Sequence, residues 1–349
     1  MQTSKQKIIK SCAPVAMVII AMLLGGVLVL ISGNSPLTAY QAILHGAFGS
    51  PQKICELFVK LIPILLLAFG ASIAYRAQLW NIGANGQFIM GSIASAAVAI
   101  YLPLPTFILI PLSFIAAIVA GALWAGLAAW LKNRFNANEV ITTLMLNYIA
   151  DYFLMYLING PMQDPYSDLS QSDLIPDAMR LTRLFGNYRL HTGIFILIVV
   201  IVIMFFFWRT PLGYKIDLLG QGEKVSTYAG VDVKKTILLT MFISGALGGL
   251  AGWIETFGIQ YRILDGIAAD YGNIATIIAL LGSLQVPGIM IAAAFFSILL
   301  CGGASMQRMT EVPYSVVNVM EGLIIILVIA KDRIGIGQKK AAKKKGREE

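Results

Sequence analysis

Glu139, Thr143, Asn147 and Asp151 recur at intervals of four, which places two carboxylates, a hydroxyl and an amide along one stripe of a helix. The surrounding residues are apolar, so these groups face either a solute path or a partner helix that hydrogen-bonds to them. Tyr314, Asn318 and Glu321 form a comparable stripe near the carboxyl end, and Glu255 closes another apolar run. Asp151 and Glu321 are the stronger path candidates, because an ionised carboxylate at bilayer depth needs water, a cation or a donor network.

The segment Asn81-Ile-Gly-Ala-Asn-Gly-Gln87 separates two apolar runs. Gly83 and Gly86 interrupt regular helix, while Asn81, Asn85 and Gln87 offer amide donors and acceptors. Broken backbone at membrane depth survives only when buried in protein or lining a cavity, so the segment is either such a site or a plain cytosolic turn.

Several chemistries lack their residues. No Gly-x-x-x-x-Gly-Lys-Ser/Thr phosphate loop, His-Glu-x-x-His pair or Gly-x-Ser-x-Gly elbow occurs, so nothing points to an ATP site or a hydrolytic centre in this chain. Cys12, Cys55 and Cys301 lie far apart and only His45 and His191 could join them, which implies neither a disulfide framework nor a metal site.

These residues are carried by 349 amino acids of which 58% are hydrophobic and 13% charged, a balance that excludes a soluble fold. At ~20 residues per crossing, the apolar share supplies roughly ten transmembrane helices. The expectation is an all-α polytopic membrane protein with one or more short or broken helices, spans falling near 13 to 33, 57 to 77, 86 to 102, 107 to 131, 139 to 159, 193 to 208, 236 to 258, 272 to 284, 288 to 304 and 314 to 330. The first run follows three lysines as a secretory signal would. It is too long for a signal's apolar core, and reads as a span.

The net charge of +8 resides in the tails: Lys5, Lys7 and Lys10 within 1 to 12, and eight basic against three acidic residues within 331 to 349. Charge elsewhere balances, which argues against nucleic-acid binding and for basic tails at a membrane face. With both termini cytosolic, nineteen of the 26 Lys and Arg fall on the inner side, as the positive-inside rule requires. Asn136 followed by Glu139 resembles a capping signal that starts the fifth span on that side.

Two loops are long. The outer one, residues 160 to 191, carries Asp164, Asp168, Asp173 and Asp177 against Arg180, Arg183 and Arg189, with Pro161, Pro165 and Pro176 preventing a long helix; it reads as a solvated surface loop. The inner one, residues 209 to 235, contains a helix-length stretch from Gln221 to Ala229 whose Val225, Tyr228 and Ala229 share a face and whose Gly230 suits a helix end. A short amphipathic helix is expected to project into the cytosol.

Small residues recur every four in two spans: Ala117, Gly121, Ala125 and Ala129, and Gly245 with Gly249 beside Gly248 with Gly252. Such seams let helices approach closely, either as fixed packing or as surfaces that slide during a conformational cycle. Short, Gly-interrupted segments around 271 to 288 echo the break at 81 to 87, as in internally duplicated transporters.

Taken in order, Asn81-Ile-Gly-Ala-Asn-Gly-Gln87, Asn138-Glu-Val-Ile-Thr-Thr-Leu-Met-Leu-Asn-Tyr148, Arg209-Thr-Pro-Leu-Gly-Tyr-Lys215, Tyr228-Ala-Gly-Val-Asp-Val-Lys234, Ser244-Gly-Ala-Leu-Gly-Gly-Leu-Ala-Gly252 and Glu321-Gly-Leu-Ile resemble the permease subunits of bacterial ABC importers. The branch is that of ribose and branched-chain amino acid permeases, and within it the match is closest to simple-sugar and nucleoside permeases served by basic-membrane-protein-type binding lipoproteins. The resemblance spans roughly 36 to 330. It departs at Asn85, where many relatives carry Glu.

The resemblance implies a multi-pass subunit in a bacterial inner membrane that translocates nucleosides or ribose-like sugars, with no cofactor of its own and ATP and magnesium on a separate ATPase. Residues 221 to 229 become the coupling helix that docks on that ATPase, with Glu223, Tyr228 and Gly230 matching its pattern. Further implied partners are a second permease, paralogous or identical, and an extracytoplasmic solute-binding lipoprotein. Neutral, hydroxyl-rich solutes suit amide, Thr and aromatic groups, so Asn81, Asn85, Gln87, Asn147 and Asp151 are expected along the path. The alternative is an ion-coupled secondary transporter using Asp151, Glu255 or Glu321. An uncoupler that stops transport while ATP is held constant would identify it.

Overall fold

The computed structural model describes residues 4 to 310, 312 to 324, 326 and 327, with side chains from residue 18 onward. The basic side chains of residues 1 to 12 and all of residues 331 to 349 fall outside this range, as does the end of the expected last span. Among the described residues the fold is all-helical; the extended backbone amounts to three isolated bridges.

In chain order the helices are α1 (Ser4–Ile31), α2 (Pro36–Phe48), α3 (Pro51–Arg76), α4 (Ala84–Tyr101), α5 (Thr106–Phe135), α6 (Glu139–Ile158), α7 (Gly193–Phe207), α8 (Pro211–Leu219), α9 (Glu223–Tyr228), α10 (Val233–Glu255), α11 (Tyr271–Leu281), α12 (Val286–Thr310) and α13 (Ser315–Ile324). A π-helical turn, Thr256–Gln260, prolongs α10. Five helices, α3, α5, α6, α10 with its π turn, and α12, are long and apolar enough to cross a membrane. Counting α1 with α2 and α7 with α8, which bend by 116° and 71° at short breaks, raises the number to seven. The chain is therefore a multi-pass membrane protein. α4 covers the expected third span but is diluted by Asn85, Gln87, Ser92 and Ser95, and α11 and α13 are short.

The described residues among 1–54 and 295–327 form one compact unit and residues 55–294 another. In the first, α2 was not expected: Pro36 opens a helix where only an outer connection was foreseen. Gly302 of α12 lies against Ile43 of α2, and Gly25 of α1 against Met320 of α13. The Tyr40 hydroxyl donates to the Met22 carbonyl.

The second unit is built around α10. The row Gly245 and Gly249 meets the Ala117–Gly121 stretch of α5, while Gly248 and Gly252 meet Gln87 and Phe88 of α4. α3 and α5 are almost equally apolar, yet 83% of the most apolar stretch of α3 is buried against 22% for α5. Apolarity alone does not distinguish a core helix from one that leaves most of its surface uncovered.

Two expectations are corrected here. The residue that starts α6 is Asn138, whose side chain accepts from Val140 N–H at 2.9 Å, whereas Asn136, with φ +53, ends α5. Asparagine suits both duties, since it caps helix starts and tolerates the left-handed region, so its type alone did not decide between the two positions. The loop from 160 to 191 is not simply solvated: Ser172, Ile175, Met179 and His191 are buried, and Ser172 N–H donates to the Ile263 carbonyl at 2.8 Å while Ser172 Oγ accepts from Ile263 N–H at 3.0 Å. Its apolar residues, set among charges, give the loop an inner side.

Candidate functional site

The break between α3 and α4 is closed by its own side chains, by Tyr75 of α3 and by side chains from two other helices, α6 and α10. α3 stops where Gln78 takes φ +59. Asn81 Oδ1 then accepts from Gly83 N–H at 3.0 Å and from Gln87 Nε2 at 2.9 Å, while its Nδ2 donates to Ser244 Oγ on α10 at 2.9 Å. Tyr75 on α3 donates to the Asn81 carbonyl at 3.1 Å. From α6, Thr143 Oγ1 accepts from Ile82 N–H at 3.2 Å. Asn147 accepts from Gly86 N–H at 2.8 Å and donates to the Ile82 carbonyl at 2.9 Å. Asn81, Gln87, Thr143 and Asn147 are all buried, so this is broken backbone held inside protein.

A second break precedes α11. Ala269 and Asp270 adopt φ +43 and +62, and Gly272 N–H donates to Asn85 Oδ1 at 2.7 Å. Asn85 Nδ2 reaches Asp270 Oδ1 at 3.4 Å, and that oxygen also accepts from Asn273 at 2.8 Å. Thr276 Oγ1 on α11 stands at hydrogen-bond distance, 3.1 Å, as acceptor to the Tyr75 hydroxyl, tying α11 to α3.

The predicted residues thus divide. Asn81, Gln87 and Asn147 share one buried network, and Asn85 joins the second break. Asp151 lies on the exposed side of α6, within electrostatic reach of Asp265 and Asp270. Glu139 is half-buried and pairs with Lys132 at 2.7 Å. Glu255 is buried and accepts from Gln260 at 3.0 Å. Glu321 stands on α13, in the other unit.

Some neighbours were missed. Ser244 lay within a motif noticed only for its glycines, and Asp270 sits one residue before a segment noticed for its break. Tyr148, Tyr152 and Tyr156 form an exposed row on α6, with Tyr152 75% accessible. Their spacing of four was visible, one step out of register with the stripe ending at Asp151.

In the segment from 209 to 235, Thr210 caps α8 and Pro211 opens it. Arg76, at the end of α3, packs on the Trp208 ring at 3.8 Å and pairs with Asp217 of α8 at 3.4 Å. α9 is six residues long, shorter than the 221 to 229 stretch, and ends as foreseen: Gly230 takes φ +75, its N–H bonds the Thr227 carbonyl and Val231 N–H bonds that of Ser226. Asp232 then caps α10 through Lys235 N–H, and that bond, with the Lys235 ammonium, holds its carboxyl below the usual range. Val225, Tyr228 and Ala229 are exposed, Tyr228 to 94%. A recess of about 200 Å³ opens beside Glu223, walled by Gln78, Lys132, Leu219 and Ile237.

At the end of the long loop from 160 to 191, His191 is buried between Gly193 and Gly258, each too close for a Cβ, and its Nδ1 accepts from Gly193 N–H at 3.2 Å. Burial, with help from the Arg189 charge, pushes the imidazole down to about 4. No cluster of three or more His, Cys, Asp or Glu able to hold a metal occurs among the described residues.

Residues 53–329 match the family described as the permease component of branched-chain amino acid transport systems. Similar proteins include the glucose ABC transporter permease protein TsgB13 of Haloferax volcanii, 32% identical over 93% of this chain and 89% of that protein. The guanosine ABC transporter permease protein NupP of Bacillus subtilis is 32% identical over 95% and 96% of the two chains. For the nucleoside ABC transporter permease protein NupB of Lactococcus lactis the values are 32%, 97% and 98%.

Proposed function

We propose, for a chain that belongs to the family of branched-chain amino acid transport system permease components, a role in importing nucleosides or simple ribose-like sugars. It is the membrane-spanning permease subunit of an ABC importer, a transport component rather than an enzyme. The solute class is supported by the relatives, two of which carry guanosine or nucleosides in their names and one glucose.

Supporting the path is the exposed face of α6, a span-length helix that turns Tyr148, Tyr152 and Tyr156 outward with Asp151 at their edge. Hydroxyls and flat rings at mid-span are poorly placed against lipid but suit a neutral, hydroxyl-rich ring compound. Asn85 and Asp151 line this path, with Asn81, Gln87 and Asn147 one layer behind, holding the break. Glu321 is a further polar station on α13.

The remaining assignments follow the family plan. Ten helices cross a bacterial inner membrane with both termini and residues 209 to 235 in the cytosol, and residues 160 to 191 outside. The inner loop presents α9, through Glu223, Val225, Tyr228, Ala229 and Gly230, to a separate ATPase that holds ATP and magnesium. A second permease completes the pore, and an extracytoplasmic lipoprotein delivers the solute. ATP-driven movement of the ATPases reaches the path because α9 joins α10 through only a helix stop and a helix start.

Labelled nucleosides and ribose offered to vesicles carrying this chain with its ATPase, second permease and binding protein test the role. Uptake should require ATP and survive an uncoupler. Uptake that ignores ATP and collapses with the ion gradient would refute it.

A further inference from the structure

The two interrupted helices, α4 and α11, begin within a side chain's length of each other. The first turn of a helix leaves N–H groups without an intrahelical partner and carries the positive end of the helix dipole, so two neighbouring starts favour a hydrogen-bonding or negative group between them. Asn85 and Asp270 occupy that place. Asn85 Oδ1 takes Gly272 N–H at 2.7 Å, so this residue of α4 caps α11. Its Nδ2 turns the other way, to Asp270 Oδ1 at 3.4 Å.

Asp270 is the residue before α11 and makes no cap bond to it; it instead accepts from Asn85 and from Asn273. Ala269 and Asp270 both lie in the left-handed region, a strained pair that persists only where its surroundings hold it. The approach is close: a Cβ on Gly272 would stand 2.5 Å from Asn85 Oδ1 and 2.6 Å from its backbone nitrogen. Tyr75 pins the next turn of α11 through Thr276.

We propose that Asn85 is a positioning residue for transport, a neutral clasp between α4 and α11 that fixes Asp270 and its loop beside Asp151 on the solute path. The clasp stands on the geometry, and its consequence for transport rests on the function proposed above. Only an amide satisfies both neighbours. A carboxylate at 85 could accept from Gly272 but would oppose Asp270, and an aliphatic side chain would serve neither.

The test uses the full chain, as wild type, Asn85→Asp and Asn85→Asp with Asp270→Asn. Melting in detergent reads the clasp, and ATP-driven uptake with the partner subunits reads its consequence. Asn85→Asp should melt lower and lose about tenfold in maximal uptake rate, the scale of one hydrogen bond replaced by opposed charges. The double variant, in which residue 270 can donate to residue 85, should recover most of both.

A single variant that melts and transports like wild type, or a double variant no better than the single, overturns the clasp. A lowered melting point with an unchanged maximal rate overturns the positioning role. If Asn85→Asp does not accumulate in the membrane, accumulation is compared instead: recovery in the double variant supports the clasp and its absence refutes it. Wild type that takes up no solute with ATP would refute the transport function, while the melting comparison still decides the clasp.

Discussion

Gly121 of α5 and Gly245 of α10 each occupy the space that the other's side chain would need: a Cβ on either would be driven into the other's carbonyl oxygen. Gly249 is confined in the same way by the Ala117 carbonyl. The helices therefore touch backbone to backbone, and dispersion between main chains takes over the role that side-chain interdigitation has in a soluble core.

Gly121→Ala should destabilise the chain by about 1–3 kcal/mol or more, because neither helix can retreat from its neighbour. Gly322→Ala on α13, where nothing lies within 4 Å of the added carbon, is the control and should be near neutral. Melting in detergent compares them, and equal effects would contradict the seam.

Asn147→Leu keeps the branched shape and strands the buried Gly86 N–H and the part-buried Ile82 carbonyl. At about 1–3 kcal/mol per orphaned group, this should be among the more damaging substitutions in α6. Thr143→Val removes a single acceptor, from Ile82 N–H, and should cost less. A reversed order in thermal melting would mean that the break is held by something else.

His191 gives stability a pH dependence. Folded, it stays neutral down to about 4; unfolded, it takes a proton below 6.5. The unfolded state thus binds more protons between these values, so stability falls as pH drops through that window, by roughly 3 kcal/mol if the whole shift is expressed. Melting temperatures between pH 7 and pH 4 read the slope, and His191→Phe should flatten it.

Tyr228→Ala and Glu223→Ala change exposed side chains of α9 and should alter stability by less than about 0.5 kcal/mol. Uptake and ATPase co-purification should nonetheless fall, and full retention of both would remove the docking role. Gly230→Ala should cost about 1–2 kcal/mol in melting, since alanine resists φ +75.

Much of this was legible in the sequence because lipid imposes simple rules. Long apolar runs marked α3, α5, α6, α10 and α12, and polar residues spaced by four on α6 marked Thr143 and Asn147, which proved to hold the neighbouring break. Partners distant in sequence were not legible: nothing near Asn81 announces Ser244, and nothing near Asn85 announces Gly272. The helix α2 escaped because a 13-residue amphipathic stretch beginning at a proline resembles a connection as much as a helix. The buried side of the 160 to 191 loop escaped because charges and prolines outnumber Ile175 and Met179.

The offset glycine rows of α10 constrain how the molecule can move. A helix engaged along one line can roll about it, but α10 is gripped along two lines, by α5 on one side and α4 on the other. Rolling would drive a backbone into one neighbour while leaving a void against the other. α4, α5 and α10 are therefore locked backbone to backbone as one packed core, to which α9 and α11 are joined by turns.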